Sequence, residues 1–153
     1  MSFRDFFRGK QPKIGDDFFG IMQFIETERA AATSYFECRR GFAPSGGVID
    51  LRIDGQLSGP TQQQKKFFRW VEDAYWLLVP QWISLLNEEF GPWMPRFQVV
   101  DFTQEFTPSY LAIPTCETQP VAWEIMCDTV HNLNHIVTIG MRGAEVSYRR
   151  VDG

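Results

Sequence analysis

Basic residues are scarce in the last third of this chain. Residues 97–153 carry only Arg142, Arg149 and Arg150 against Asp101, Glu105, Glu117, Glu124, Asp128, Glu145 and Asp152. The first 96 residues are balanced, so all of the formal net charge of −4 sits near the C-terminal end. A general nucleic-acid binder needs a basic footprint to displace counterions, and that class is set aside. Cysteine is equally sparse: Cys38, Cys116 and Cys127 are far apart, with no Cys-x-x-Cys pair. An odd count of thiols, and no secretory-type apolar stretch in Met1–Arg8, predict reduced cysteines in a cytoplasmic protein. Long hydrophobic runs are missing as well. The most apolar stretch, Ala74–Leu86, is interrupted by Pro80, Gln81 and Ser84 and falls short of the roughly 20 residues that span a bilayer. The phosphate-binding patterns GxxxxGK[ST] and GxGxxG are absent, so no nucleotide cofactor is expected.

Aromatic residues are abundant, at 15%, within an apolar fraction of 44% and a charged fraction of 22%. A chain of 153 residues with this composition is expected to be one globular domain, 1–153. No repeat, linker or low-complexity tract divides it. Phe3, Phe6 and Phe7, behind a Ser2 cap, predict a short amphipathic helix, which with the start of its connector occupies residues 1–13; the polar connector itself runs over Gly9–Asp17. Phe18–Glu26 is apolar on both faces, the pattern of an interior strand covered on both sides. Ser34–Phe42 and Val48–Asp54 alternate as half-buried strands, completing an antiparallel meander. After Ser58-Gly59-Pro60 the period changes. Thr61 and Gln64 fit a capping box, with Ser58 as the alternative cap, and Phe67, Val71, Ala74 and Leu78 define one helical face. Pro80 stops or kinks that helix, and Trp82, Leu85, Leu86 and Phe90 form a second stripe. Strands are then expected at Phe97–Phe102, Ser109–Ile113, Ala122–Val130, His135–Met141 and Ala144–Arg150, with Thr103–Gln119 containing loop or edge segments around its prolines. Asn132-Leu133-Asn134 and Arg142-Gly143 serve as hairpin turns. The fold class is α+β: an antiparallel β-meander, a helical pair and a second antiparallel β-meander, with the helices packed on the sheet.

Several constellations bear on chemistry. His131 and His135 flank a predicted turn, with Cys127 and Asp128 nearby, which is either a fragment of a metal site or two polar hairpin residues. Ser45 precedes Gly46-Gly47 without the Gly-x-Ser-x-Gly pattern, and Cys38 lies on the inward face of its strand, so neither has the context of a nucleophile. Glu88-Glu89 and the pair Glu124/Asp128 are acid–base candidates or solvated carboxylates. Arg39-Arg40, Arg52 and Arg149-Arg150 either build a positive stripe or pair across strands with Glu37, Asp50 and Glu145. Trp93, between Pro92 and Met94-Pro95, is an exposed anchor or a plug at the helix–sheet junction. No catalytic residue, metal ligand set or cofactor is assigned.

A family resemblance adds to these readings. Asp17-Phe18-Phe19-Gly20, the strand Val48–Asp54 leading into Ser58-Gly59-Pro60-Thr61, Trp123-Glu124-Ile125 and Asn134-His135-Ile136-Val137 together resemble the small α+β immunity proteins encoded beside secreted bacterial toxins. The likeness spans residues 17–140. It implies a cytoplasmic, non-enzymatic protein that binds its cognate toxin and occludes the active site. Direct binding of nucleic acid or membrane is not expected, and a homo-oligomer stays open. Under this resemblance Trp93, Glu117, Glu124, Asp128, His131, His135 and Glu145 are the expected partner-binding residues. The acidic ones would steer and cap a basic site. The alternative is a small metal- or ligand-binding protein or enzyme built on the His131/His135 hairpin, and a third class is a structural subunit that uses Trp93 or the N-terminal helix as its contact.

Overall fold

The computed structural model describes residues 12–26, 34–131 and 135–152. The predicted N-terminal helix, the connector Thr27–Thr33 and the turn Asn132–Asn134 fall outside the described residues, save Pro12 and Lys13 at the end of the first.

Alternation dictates the sheet. In the strand Gly47–Asp54 (β4), Ile49, Leu51 and Ile53 are buried while Val48 and Asp50 are exposed. The same period-2 pattern runs through Tyr35–Phe42 (β3), Ala122–Thr129 (β6) and, on one face, Ile136–Arg142 (β7). With Lys13–Asp16 (β1), Gly20–Ile25 (β2), Phe106–Ile113 (β5) and Glu145–Asp152 (β8), they form one eight-stranded sheet in the order β1 to β8. Every neighbouring pair is antiparallel except β4 and β5, which run parallel. Two four-stranded meanders are thus joined edge to edge, and the crossover between them is helical. A parallel joint requires such a crossover.

That crossover corrects the expected helical pair. Gln62–Phe90 (α1) is one continuous helix with Pro80 inside it. Pro80 removes one helical hydrogen bond, but it lies on the exposed side. Val71, Ala74, Tyr75, Leu78, Val79, Trp82, Leu86 and Phe90 form an unbroken buried stripe on both sides of it. Packing along that stripe overrides the local signal, since full burial of a large apolar side chain contributes about 1.5–3 kcal/mol. Helix α1 covers one face of the sheet and shares a single core with the inward residues of its strands. No helix among the described residues is long and apolar enough to cross a membrane.

Three further expectations are corrected. The stretch taken as a connector contains β1, because the Asp16 carboxylate accepts the backbone N–H of Phe18 and Phe19 and closes a turn back into β2. β2 is not covered on both faces: Phe19, Met22 and Phe24 are buried, whereas Ile21 is 76% exposed on the face opposite α1, which carries no helix among the described residues and is termed the helix-free face in that sense. Finally, Phe97–Phe102 is no strand. Asn87 accepts the Val99 N–H, Asp101 caps the single turn Phe102–Glu105 (α2), and Glu105 reaches back to the N–H groups of Val100 and Asp101. The adjoining strand β5 runs through Pro108. It tolerates the proline because pairing with β4 begins only at Tyr110 and the register with β6 shifts between Pro108 and Tyr110.

Candidate functional site

The register across all eight strands places one residue of each in a single row on the helix-free face: Lys13, Gln23, Glu37, Arg52, Ala112, Glu124, Gly140 and Tyr148. The adjacent row holds Asp50, Tyr110, Met126, Thr138 and Arg150. Where these rows meet the loop between β5 and β6, an open cleft of about 750 Å³ forms. Its floor and sides include Arg52, Tyr110, Ala112, Glu124, Met126 and Tyr148, and the segment Pro114–Pro120 contributes one wall.

Each polar group in the cleft has a defined state. Arg52 lies with its guanidinium 3.9 Å from the Tyr35 ring centroid and its Nε 3.2 Å from Asp54. Tyr148 lies flat over Gly140: a Cβ on that glycine would meet the Tyr148 ring directly. The missing side chain is what lets the phenol reach inward from an edge strand. Burial and a hydrogen bond to the Glu124 carboxylate together push the Tyr148 phenol up to about 12, so it stays protonated as a donor. Burial also raises Tyr110. Nearby Glu37, Tyr35 and Glu124 add to that shift, while Arg52 opposes it. Among the described residues Glu124 makes no ion pair within 4 Å. One strand further, the Oγ1 of the fully buried Thr138 has no hydrogen-bond partner among the described residues.

The expected site residues do not all converge. Glu124 and Asp128 share the helix-free face of β6, Glu117 is exposed on the adjoining loop, and Glu145 is exposed at the β7–β8 hairpin. Trp93 and His135 form a separate pair beyond the end of α1, with ring centroids 6.3 Å apart, and Trp93 is 50% exposed. His131 is structural in its surroundings: its Nε2 lies 2.8 Å from Glu105, and its ring packs against Phe90, Phe97 and Phe106. Cys127 and Asp128 point to opposite faces of β6, and no three His, Cys, Asp or Glu side chains are grouped as metal ligands among the described residues. Burial pushes the Cys38 and Cys127 thiols up to about 12 and Cys116 to about 11, which removes the thiolate that nucleophilic chemistry requires. The arginines mostly pair instead of forming a stripe: Arg39 with Asp50, Arg149 with Glu88 and Glu89, and Arg150 with Asp152. Tyr110, Met126 and Tyr148 are the cleft residues that sequence reasoning missed. Alternation assigns faces, but only the pairing of β5 with β6, of β6 with β7 and of β7 with β8 brings these three together. The chain matches no family model, no curated protein and no solved structure.

Proposed function

We propose that this chain is a binding protein of the immunity type, which occupies a secreted bacterial toxin and blocks it through the helix-free face of its sheet. The observation that supports this reading is the cleft on that face. It gathers aromatic rings and a thioether, groups enriched at protein interfaces, around one carboxylate in an open recess. Glu124 and Asp128, two of the acidic residues expected to face a basic partner, stand on the same face, and Glu117 borders it. The raised thiols and the Glu105-bound imidazole of His131 favour binding over nucleophilic or metal chemistry.

The test is capture and protection run together. Tagged protein is used to capture partners from the lysate of its own host, and the captured protein is then expressed in cells with and without this chain. A stoichiometric partner that kills cells unless the chain is present supports the proposal. Retention should fail for the double variant Glu124→Lys/Asp128→Lys and persist for Leu77→Asp, a change on the outer side of α1 where Leu77 is 82% exposed. A partner that is harmless to unprotected cells would overturn the immunity reading. Full protection by the double variant would overturn the assigned face.

A further inference from the structure

We propose that the cleft on the helix-free face receives a single basic side chain, a guanidinium or ammonium group presented by the bound partner. The inference rests on the binding reading above and names the chemistry that the recess selects.

Charge distribution within the cleft carries the argument. Of the cationic groups around it, Arg52 is already held by Asp54 and by the Tyr35 ring, and Arg150 is bonded to Asp152 through its Nε at 2.6 Å and adds only a weaker, through-space attraction to Glu124. Arg142 is exposed at the rim, where water screens it. Glu124 differs from all of these. It is half-buried in the transverse row between Ala112 and Gly140 and fixed by the Tyr148 hydroxyl, and among the described residues it has no ion-pair partner within 4 Å. A partly desolvated carboxylate of this kind gains most from a cation that brings its own hydrogen-bond donors. The surroundings suit the rest of such a side chain. Tyr110 and Tyr148 line the cleft with aromatic rings on which a guanidinium or ammonium can settle, and Met126 adds a polarisable side chain for the aliphatic stem. An anionic occupant would meet the Glu124 carboxylate and find a free cation only at the rim.

Nα-acetyl-arginine amide and Nα-acetyl-lysine amide are suitable probes, titrated into the full chain carrying methyl-labelled methionine. The Met126 methyl signal should shift saturably with either cation and not with neutral Nα-acetyl-norleucine amide. Glu124→Gln keeps shape and hydrogen-bonding capacity while removing the charge, and it should weaken the cation by on the order of tenfold. Gly140→Ala gives an independent handle, since its new methyl displaces the Tyr148 ring. It should weaken the cation as well while the chain stays folded. Equal binding of the norleucine probe, saturable binding of succinate in place of the cations, or undiminished binding to Glu124→Gln would each overturn the proposal. Because the titration needs no partner, the two readings fail separately. Intact cation binding without a toxic partner removes the immunity reading alone. Toxin capture that Glu124→Gln leaves unchanged, with no cation bound, removes the cleft assignment alone.

Discussion

Gln64 is the side chain whose removal should weaken both the fold and the cleft. It is 1% exposed in the first turn of α1, and three hydrogen bonds leave its amide. The oxygen accepts from the Thr61 backbone N–H at 3.0 Å, completing the capping box, and the nitrogen donates to the carbonyls of Asp54 at 2.6 Å and Pro114 at 2.8 Å. Those carbonyls follow the last core residues of β4 and β5, so one amide ties the start of the helix to the ends of both central strands. Gln64→Leu keeps volume and helix propensity and deletes all three bonds. Each neutral hydrogen bond contributes about 1 kcal/mol net, and a buried group left without a partner costs about 1–3 kcal/mol. The expected loss is therefore about 3 kcal/mol. For a chain of this size that lowers the melting temperature by about 6–12 °C. Equilibrium urea unfolding gives the free energy and thermal circular dichroism the midpoint. A loss below about 1 kcal/mol would refute the reasoning, since it would mean that water or neighbouring groups satisfy both carbonyls as well as Gln64 does. Gln64→Glu adds a second reading of the same contacts. A carboxylate aimed at two carbonyls is held above its ordinary pKa, so the deficit should be largest at neutral pH and should narrow in acid.

Three other measurements bear on the same framework. Thr138→Val replaces a buried hydroxyl that has no partner among the described residues with an isosteric methyl, and it should raise stability by about 1 kcal/mol in urea unfolding; a loss would mean that the hydroxyl is satisfied in solution. Burial pushes the Glu105 carboxyl up, but the N–H groups of Asp101 and Val100 and the His131 ring outweigh it and hold the group below the ordinary glutamate value. Its contribution is thus fully present above about pH 4.3, the unfolded value, and is lost as pH falls through the folded one. Glu105→Gln should accordingly show a smaller drop in urea midpoint between neutral and acidic pH than the parent chain, and an equal drop would contradict the assignment. The three thiols, held at about 11 to about 12, should be alkylated by iodoacetamide much more slowly than a free thiol at neutral pH and should react fully in urea.

The sequence and the structure agree where a signal is local and part company where pairing decides. Ile49, Leu51 and Ile53 are legible as an inward face because alternation is a property of one strand. The capping box of Thr61 and Gln64 is legible for the same reason, since both partners lie within four residues. That Glu124 and Asp128 share a face also follows from their even spacing in β6. Pro80 and Pro108 mislead because each is read as a break. Their structural consequence depends on which side of the helix faces water and on where a neighbouring strand begins to pair. The cleft lies beyond any local reading. Arg52, Tyr110, Glu124 and Tyr148 come from four strands, and nothing in their spacing announces that β4 pairs with β5 in parallel or that Tyr148 lies over Gly140.

The parallel joint also explains why the recess lies where it does. In an antiparallel meander a chain leaving one strand turns straight into its neighbour and fills the space at the strand end. β4 and β5 instead leave the sheet at the same end, and their continuations diverge: β4 into the loop before α1, β5 into the Pro114–Pro120 segment. Divergence of this kind at the carboxyl ends of neighbouring parallel strands is the general origin of crevices in open sheets. Here Asp54, Ile113 and Pro114 line the cleft at that point, and Gln64 clamps the Asp54 and Pro114 carbonyls from the helix side. The recess is therefore held open by the topology and braced by one buried amide. Gln64→Leu should for that reason weaken cation binding more than a remote substitution of equal destabilisation, such as Phe90→Leu, at a ring that packs on Phe97, Phe106 and His131 away from the cleft, compared at the same urea midpoint. Equal binding by the two variants would separate the brace from the site.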